Sequence, residues 1–445
     1  MRKAVVLLVG LAILVLAGGV VTAQDDLASV DPNGQTIVYW HQFSGAQLET
    51  MTALVENFNA TNEWGITVEA LAQGSYNDIR ELMNSAIISG ETPNLVAGYA
   101  NDAASYFLDG GAADIHPYLN DATWGLTADQ LADFNTPLLD FNTLVGDPFA
   151  GELLAFPHQA SAQAFLANTT LLAELGFDEV PRSTEDFMAA ACASAASTTA
   201  DGTPRYGFPI VADASAFEGW VAAQGGVIFD GAEYHFDSPE AIAVLQMFKD
   251  LYDQGCGYLP AERFSEQIDF ALGLTPFYVS STAGFTFVLT ANADNGFTGE
   301  WTVNTFPHAE GTEALQVYVP SIIMVPGTPE AQLASWLFLK YLVTPEAAQQ
   351  WSEGTGYFNP VLSTAATMTA ETFPNTDLFP YFSAGAALVN DPDIHLYNSP
   401  NVPSYGSIRG FVAEAVANVT SNGMTPEDAA ALLQQQAEEV VAGGV

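Results

Sequence analysis

The chemistry open to this sequence starts from a scarce side chain. The 445 residues include 52 acidic and only 9 basic ones. Arg409, in Ser407-Ile408-Arg409-Gly410, is one of those few cations. Its planar fork can hold a phosphate, donate to sugar hydroxyls or pair with a carboxylate. Aromatic and small polar residues gather at other turn-like places. These are Gly74-Ser75-Tyr76, Tyr99-Ala100-Asn101, Ser280-Ser281-Thr282-Ala283-Gly284, and Gly354-Thr355-Gly356-Tyr357-Phe358-Asn359-Pro360. Aromatic faces with a few convergent polar groups suit a compact polar ligand in a cleft. Taken singly, each of these residues also serves as an ordinary turn or cap.

Catalytic motifs are missing. No G-x-S-x-G elbow, H-E-x-x-H pair, P-loop or EF-hand run occurs. His41, His116, His158, His235, His308 and His395 are scattered without metal-ligand spacing. We therefore assign no catalytic residue, metal site or cofactor. The 52 carboxylates leave a glycosidase acid pair open, because chance pairs are common among so many. A secreted glycosidase and a cell-surface adhesion protein stand as alternatives from other classes.

Composition bounds the compartment and the partners. A formal net charge of -43 repels nucleic acid and anionic membranes. The acids are dispersed, which reads as a solubilising surface rather than a binding tail. Arg2-Lys3, the apolar run from Ala4 to Val21 and Val21-Thr22-Ala23 read as a secretory signal over 1–23. In Leu16-Ala17-Gly18-Gly19 a glycine stands where a lipid-bearing cysteine would be, so the exported protein is expected to be unlipidated. Export makes a Cys192–Cys256 disulfide the expectation, contributing about 4 kcal/mol in the chain-entropy model. Two buried free thiols are the alternative.

The positioning elements follow from periodicity. Thr36–Trp40, Ile66–Ala70 and Leu95–Tyr99 read as strands, each followed by helical spacing over 46–59, 76–88 and 102–107. Their alternation argues for α/β layers with a largely parallel sheet, and the length for two domains. Ser183–Ala196 and Pro239–Gln254 read as helices. Thr328-Pro329-Glu330, Thr344-Pro345-Glu346 and Thr425-Pro426-Glu427 each place a hydroxyl at the N-cap, proline at the first helical position and an acid in the first turn. The stripe Leu333, Trp336, Leu337 and Tyr341 reads as core.

Together these stretches resemble the extracellular solute-binding proteins of ATP-driven importers, in the carbohydrate and glycerol-3-phosphate branch. The likeness is carried by Val38-Tyr39-Trp40-His41, Gly90-Glu91-Thr92-Pro93-Asn94-Leu95-Val96, the span Val317–Pro360, and Ile408-Arg409 with the last Thr-Pro-Glu helix. It implies a two-lobed periplasmic-binding-protein fold with the ligand in the interlobe cleft. Lobe one would hold 24–153 and 305–356, and lobe two 158–303 and 361–445. Hinge crossings are expected near 154–157, 304–306 and 353–360. By resemblance, Tyr76, Ser161, Ser281, Tyr357 and Arg409 are ligand-binding positions, with Trp40, Asn101, Trp220 and Tyr318 beside such positions. The implied partners are one small solute and a membrane permease, with the protein a monomer. Ala100 replaces the glutamate of the glycerol-phosphate binders, and Val319 replaces the usual glycine. Those departures and the acidic surface favour a neutral sugar over a glycerol phosphate or its diester. In the 353–360 stretch, Gly354 and Gly356 are expected to release the chain from its helix, with Tyr357 at the lobe boundary. Asn359 is an insertion without an evident role.

Overall fold

Local capping chemistry starts many of the helices. Thr328, Thr344 and Thr425 each accept a backbone N–H three residues on, opening helices Pro329–Leu342, Pro345–Thr355 and Pro426–Ala442. Ser183 and Ser238 do the same for Thr184–Ala195 and Pro239–Asp253. The computed structural model describes residues 27–144, 148–149, 151–262 and 264–443. The expected signal segment 1–23 lies outside the described residues.

Two five-stranded sheets organise the chain. The first runs in the order Thr67–Ala72, Thr36–His41, Leu95–Gly98, Ser321–Met324, Ala155–Phe156. Its first three strands are parallel, and Ser321–Met324 is antiparallel to both its neighbours. The second sheet centres on the fully buried strand Ser161–Asn168, with Phe277–Ser281, Trp301–Asn304 and Ala314–Tyr318 antiparallel to it. His395–Tyr397 adds at the edge, parallel to Ala314–Tyr318. The expected parallel pairing thus holds only for the first three strands of the first sheet, whose other two pairings are antiparallel. A buried strand reads the same in either pairing mode, so direction was not visible in the sequence.

Each sheet has its own core. Trp336, Phe338 and Trp351 pack with Tyr39, Met51 and Phe58 around the first. Phe165, Phe187, Phe208 and Trp220 pack with Phe248 and Val416 around the second. Cys192 and Cys256 are joined by a disulfide that braces this second core, and neither is a free thiol.

Between the sheets the chain passes after Phe156, between Tyr318 and Ser321, and again after the Pro345–Thr355 helix. The middle passage corrects the expectation near 304–306. Both Trp301–Asn304 and Ala314–Tyr318 pair with Ser161–Asn168, so the chain stays with the second sheet as far as Tyr318. Pro320 lacks the N–H that a ladder needs, so strand pairing breaks there. Beside it, Phe358 and Ala160 exchange backbone hydrogen bonds of 2.8 and 2.7 Å, tying the last passage to the first.

The 353–360 stretch divides its roles differently from the expectation. Gly356 ends the helix at φ 79°, where a side chain would be strained. Gly354 lies inside the helix instead. A Cβ there would fall 2.3 Å from Thr50 Oγ1, so the glycine lets two helices approach. Asn359 is the tie after the turn: its Nδ2 donates to Ser352 Oγ at 2.8 Å, and its Oδ1 accepts from Val361 N at 2.9 Å.

Candidate functional site

Three turns supply the lobe-one wall. Ser75 and Asp78 cap each other and begin the Tyr76–Ser89 helix, with Tyr76 as its first residue. Tyr99 follows the Leu95–Gly98 strand, and its backbone N–H donates to Asp102 Oδ2 at 3.0 Å. The Tyr76 and Tyr99 rings lie 4.9 Å apart. Tyr357 arrives from the last passage, stacked 5.8 Å from Trp351. The Tyr76 hydroxyl faces those of Tyr99 and Tyr357. Burial pushes all three phenols up, Tyr99 to about 12, so each keeps its proton at neutral pH.

The facing wall is built on two helices and a strand. Arg409 lies early in the Tyr405–Thr420 helix. Its Nη1 donates to Ser215 Oγ at 3.0 Å and its Nη2 to Asp213 Oδ2 at 3.1 Å. The guanidinium carbon sits 5.6 Å from the centre of the Tyr405 ring, within cation–π reach. Asp213 uses its other oxygen to cap the Ala214–Ala223 helix through Ser215 N and Ala216 N. One turn further along that helix, buried Glu218 accepts on Oε2 from Gln316 at 2.7 Å, Ser399 at 2.9 Å and Tyr405 at 3.1 Å. Burial raises the Glu218 carboxyl to about 7 despite those donors. Tyr318 ends the Ala314–Tyr318 strand opposite Ser161 and lies in the field of Asp213, Tyr99 and Arg409.

The walls meet. A Cβ on Gly406 would lie 3.6 Å from Asn101 Nδ2 and 3.8 Å from Arg80 Nε. Arg80 Nε in turn donates to Asp102 Oδ1 at 2.8 Å. The structure therefore gathers Tyr76, Tyr357, Arg409, Tyr318, Ser161 and Asn101 at the lobe boundary. Ser281 ends the Phe277–Ser281 strand, next to the short 282–284 helix whose Thr282 carbonyl abuts Gly356. Trp40 is half-buried against the Ile79, Met83 and Val96 cluster. Trp220 is a core residue and not a wall residue: it is 1 % exposed and packs on Phe165, Phe187 and Phe306. Its neighbour Gly219 marks the tight contact, since a Cβ there would meet Gln163 Oε1 at 2.1 Å.

Several participants escaped the sequence reading. Tyr99 was visible as a strand end but not as a ring partner. Asp213 carried a capping signal, aspartate ahead of an apolar run, yet nothing local links it to an arginine 196 positions away. Glu218 looked like any other acid. Behind the lobe-one wall, Tyr39 Oη, His41 Nε2 and both His158 nitrogens are buried without a hydrogen-bond partner among the described residues. Burial holds His41 down at about 4 and His158 at about 3, so both rings are neutral.

A two-lobed chain with a polar, aromatic cleft at the lobe boundary matches a known family. Residues 53–380 fit the model of the bacterial extracellular solute-binding proteins. The chain belongs to that family. Among curated relatives, the sn-glycerol-3-phosphate-binding periplasmic protein UgpB of Pectobacterium atrosepticum is 22% identical over 409 residues, covering 88% of each chain. Among solved structures, UgpB from Mycobacterium tuberculosis in complex with glycerophosphocholine superposes with a TM-score of 0.76 at 16% identity, over 93% of this chain and 100% of that one. Lmo0181 from Listeria monocytogenes, in complex with cycloalternan, gives 0.75 at 17% identity over 92% and 99%. These structures share the two-lobed fold. The protein is thus a solute-binding protein, and the family's members bind solutes for transport. No helix among its described residues is long and apolar enough to cross a membrane.

Proposed function

We propose that the protein is the exported, unlipidated binding component of an ABC importer, and that it captures a neutral sugar as a monomer. The lobes would close on the solute about three hinge crossings, near 154–160, at Val319–Pro320 and at 355–360, and the closed form would dock on a membrane permease. Tyr76 and Tyr357 would stack on or donate to the sugar, and Arg409, Ser161, Ser281, Tyr318 and Asn101 would supply directed hydrogen bonds. The observation that carries the neutral choice is charge matching. Arg409 is held by Asp213 and Arg80 by Asp102, with Glu218 close behind, so neither arginine offers an uncompensated charge to an anion. Phenolic hydroxyls and ring faces suit sugar better than phosphate.

A second reading has its own support, since UgpB relatives bind sn-glycerol-3-phosphate. Isothermal calorimetry of sugars and sn-glycerol-3-phosphate at two ionic strengths separates the readings. Sugar binding that ignores salt is expected. Binding of the phosphate ester alone, weakening with salt, would overturn the neutral choice. Absence of turnover on a panel of chromogenic glycosides is expected of a binding protein, and turnover would restore the glycosidase alternative.

A further inference from the structure

Behind the lobe-two wall sits an acid that solute capture leaves unused. Glu218 is 5% exposed. All three donors to its Oε2 belong to lobe two: Gln316 on the Ala314–Tyr318 strand, Ser399 just after the His395–Tyr397 strand, and Tyr405 at the start of its helix. Lobe one lies against the outer side of this cluster. Ser399 shares a pocket lining with Tyr99, Asn101 and Phe141. Two positions on, Asn401 Nδ2 donates to the Phe141 carbonyl at 2.8 Å, across the boundary. Gly406, next to Tyr405, meets Asn101 and Arg80.

Opposing influences act on the Glu218 carboxyl. Its donors and the Arg409 guanidinium favour the charged form, whereas burial favours the neutral form and outweighs them. The phenols of Tyr234, Tyr318, Tyr397 and Tyr405 also feel Glu218, and burial keeps each protonated. Asp213, on the same helix, is matched to Arg409. Across the boundary stand Arg80 and Asp102, paired with each other. Gln316 can serve either form of the acid. Its Nε2 donates to the carboxylate, and its Oε1 is buried without a partner among the described residues. Turned over, the amide would offer that oxygen to a carboxyl proton.

Opening the lobes would change only one of these influences. The donors travel with lobe two and stay in place, while water reaches the outer side of the cluster and solvates the charged form. We propose that Glu218 is a proton site coupled to lobe closure: it takes up a proton as the lobes close on solute and gives it up as they open. Linkage then fixes the sign. Binding is tightest in acid and weakens as pH rises through neutrality, because the closed form holds the proton more firmly. The coupling rests on the reading of two lobes that close around a solute.

The test is calorimetry of the secreted chain with glucose, maltose, trehalose, lactose and glycerophosphocholine, none of which titrates near neutral pH. The tightest binder is carried forward. Titrated near pH 7 in buffers of high and low ionisation enthalpy, it should bind with net proton uptake. Its affinity should fall at least about threefold between about pH 5.5 and 8.5. Glu218→Gln should abolish the uptake and keep the acid-side affinity across that range. Ser399→Ala removes a donor to the charged form and should move the fall to higher pH, so it carries the test if Glu218→Gln does not fold. A merely structural role would instead lower affinity equally at every pH. Proton release, a flat pH profile, or a profile that neither substitution moves would overturn the coupling and leave the solute-binding reading standing. Binding of none of the five would overturn the closure reading and the coupling with it.

Discussion

Two arginine–aspartate pairs stand at the lobe boundary, and they are set for different work. In lobe one, Arg80 meets Asp102 at 2.8 Å, and the aspartate side chain is 3% exposed. Asp102 also accepts from Tyr99 N and from the Asn101 amide, so it organises the whole turn. In lobe two, Arg409 meets Asp213 at 3.1 Å, and that aspartate is 45% exposed. Stripping the cation from a buried carboxylate leaves an uncompensated charge, whereas an open carboxylate is readily hydrated. The same pair of residue types is therefore a structural tie in one wall and an exchangeable contact in the other. Burial, rather than identity, separates them.

The contrast between the lobes can be tested, beginning with the heaviest intervention. The disulfide braces lobe two alone and spans 64 positions. Replacing both cysteines by serine should cost about 4 kcal/mol. Calorimetric unfolding should then show lobe two melting ahead of lobe one, and a single unsplit transition at the original temperature would deny the lobes their separate stabilities. Next, Arg409→Ala should weaken solute binding at least about 100-fold, roughly 3 kcal/mol, with little change in melting temperature. Arg80→Ala should do the reverse, lowering stability by about 2–3 kcal/mol because Asp102 is left buried. Equal effects of the two variants on both readouts would show that burial does not separate the two pairs.

Smaller and opposite in sign are the pH responses. His41 and His158, beside the lobe-one sheet, have folded values of about 4 and about 3, below the ordinary 6.5. Their contribution is complete above pH 6.5 and is lost as pH falls toward those values. Glu218 in lobe two has a folded value of about 7, above the ordinary 4.5. Its contribution is complete below pH 4.5 and is lost as pH rises through 7. Glu218→Gln should flatten the melting-temperature profile between pH 4.5 and 7 on that side only, while the acid limb persists. A profile unchanged by the substitution would show that Glu218 does not titrate in that window. Mildest of all, Tyr357→Phe should cost about 1 kcal/mol of binding, the worth of one hydrogen bond, because the ring and its stack on Trp351 remain. A loss as large as that of Arg409→Ala would assign the tyrosine a larger part than a single hydroxyl.

Much of the fold was legible because its signals are local. The Thr-Pro-Glu starts and the Gly356 stop each act within one helical turn, and all appear where the residues put them. Apolar periodicity likewise marks the Trp336 stripe as core, and it is buried. The middle crossing was misplaced, because strand pairing of Ala314–Tyr318 depends on a partner more than a hundred positions earlier. Trp220 is not distinguishable in sequence from a cleft residue, because an aromatic side chain reads the same whether it faces ligand or core.

What the sequence determined by itself, then, was the inventory: an acid-rich chain of two α/β layers, a handful of cations, tyrosines at element ends, and helices begun and ended by short-range hydrogen bonds. Only the tertiary structure decided which of those groups meet. It chose Asp213 as the partner of Arg409 and closed three donors onto Glu218. Capping is settled by neighbours a few bonds apart, but the charge and polarity of a cleft depend on side chains brought together from opposite ends of the chain.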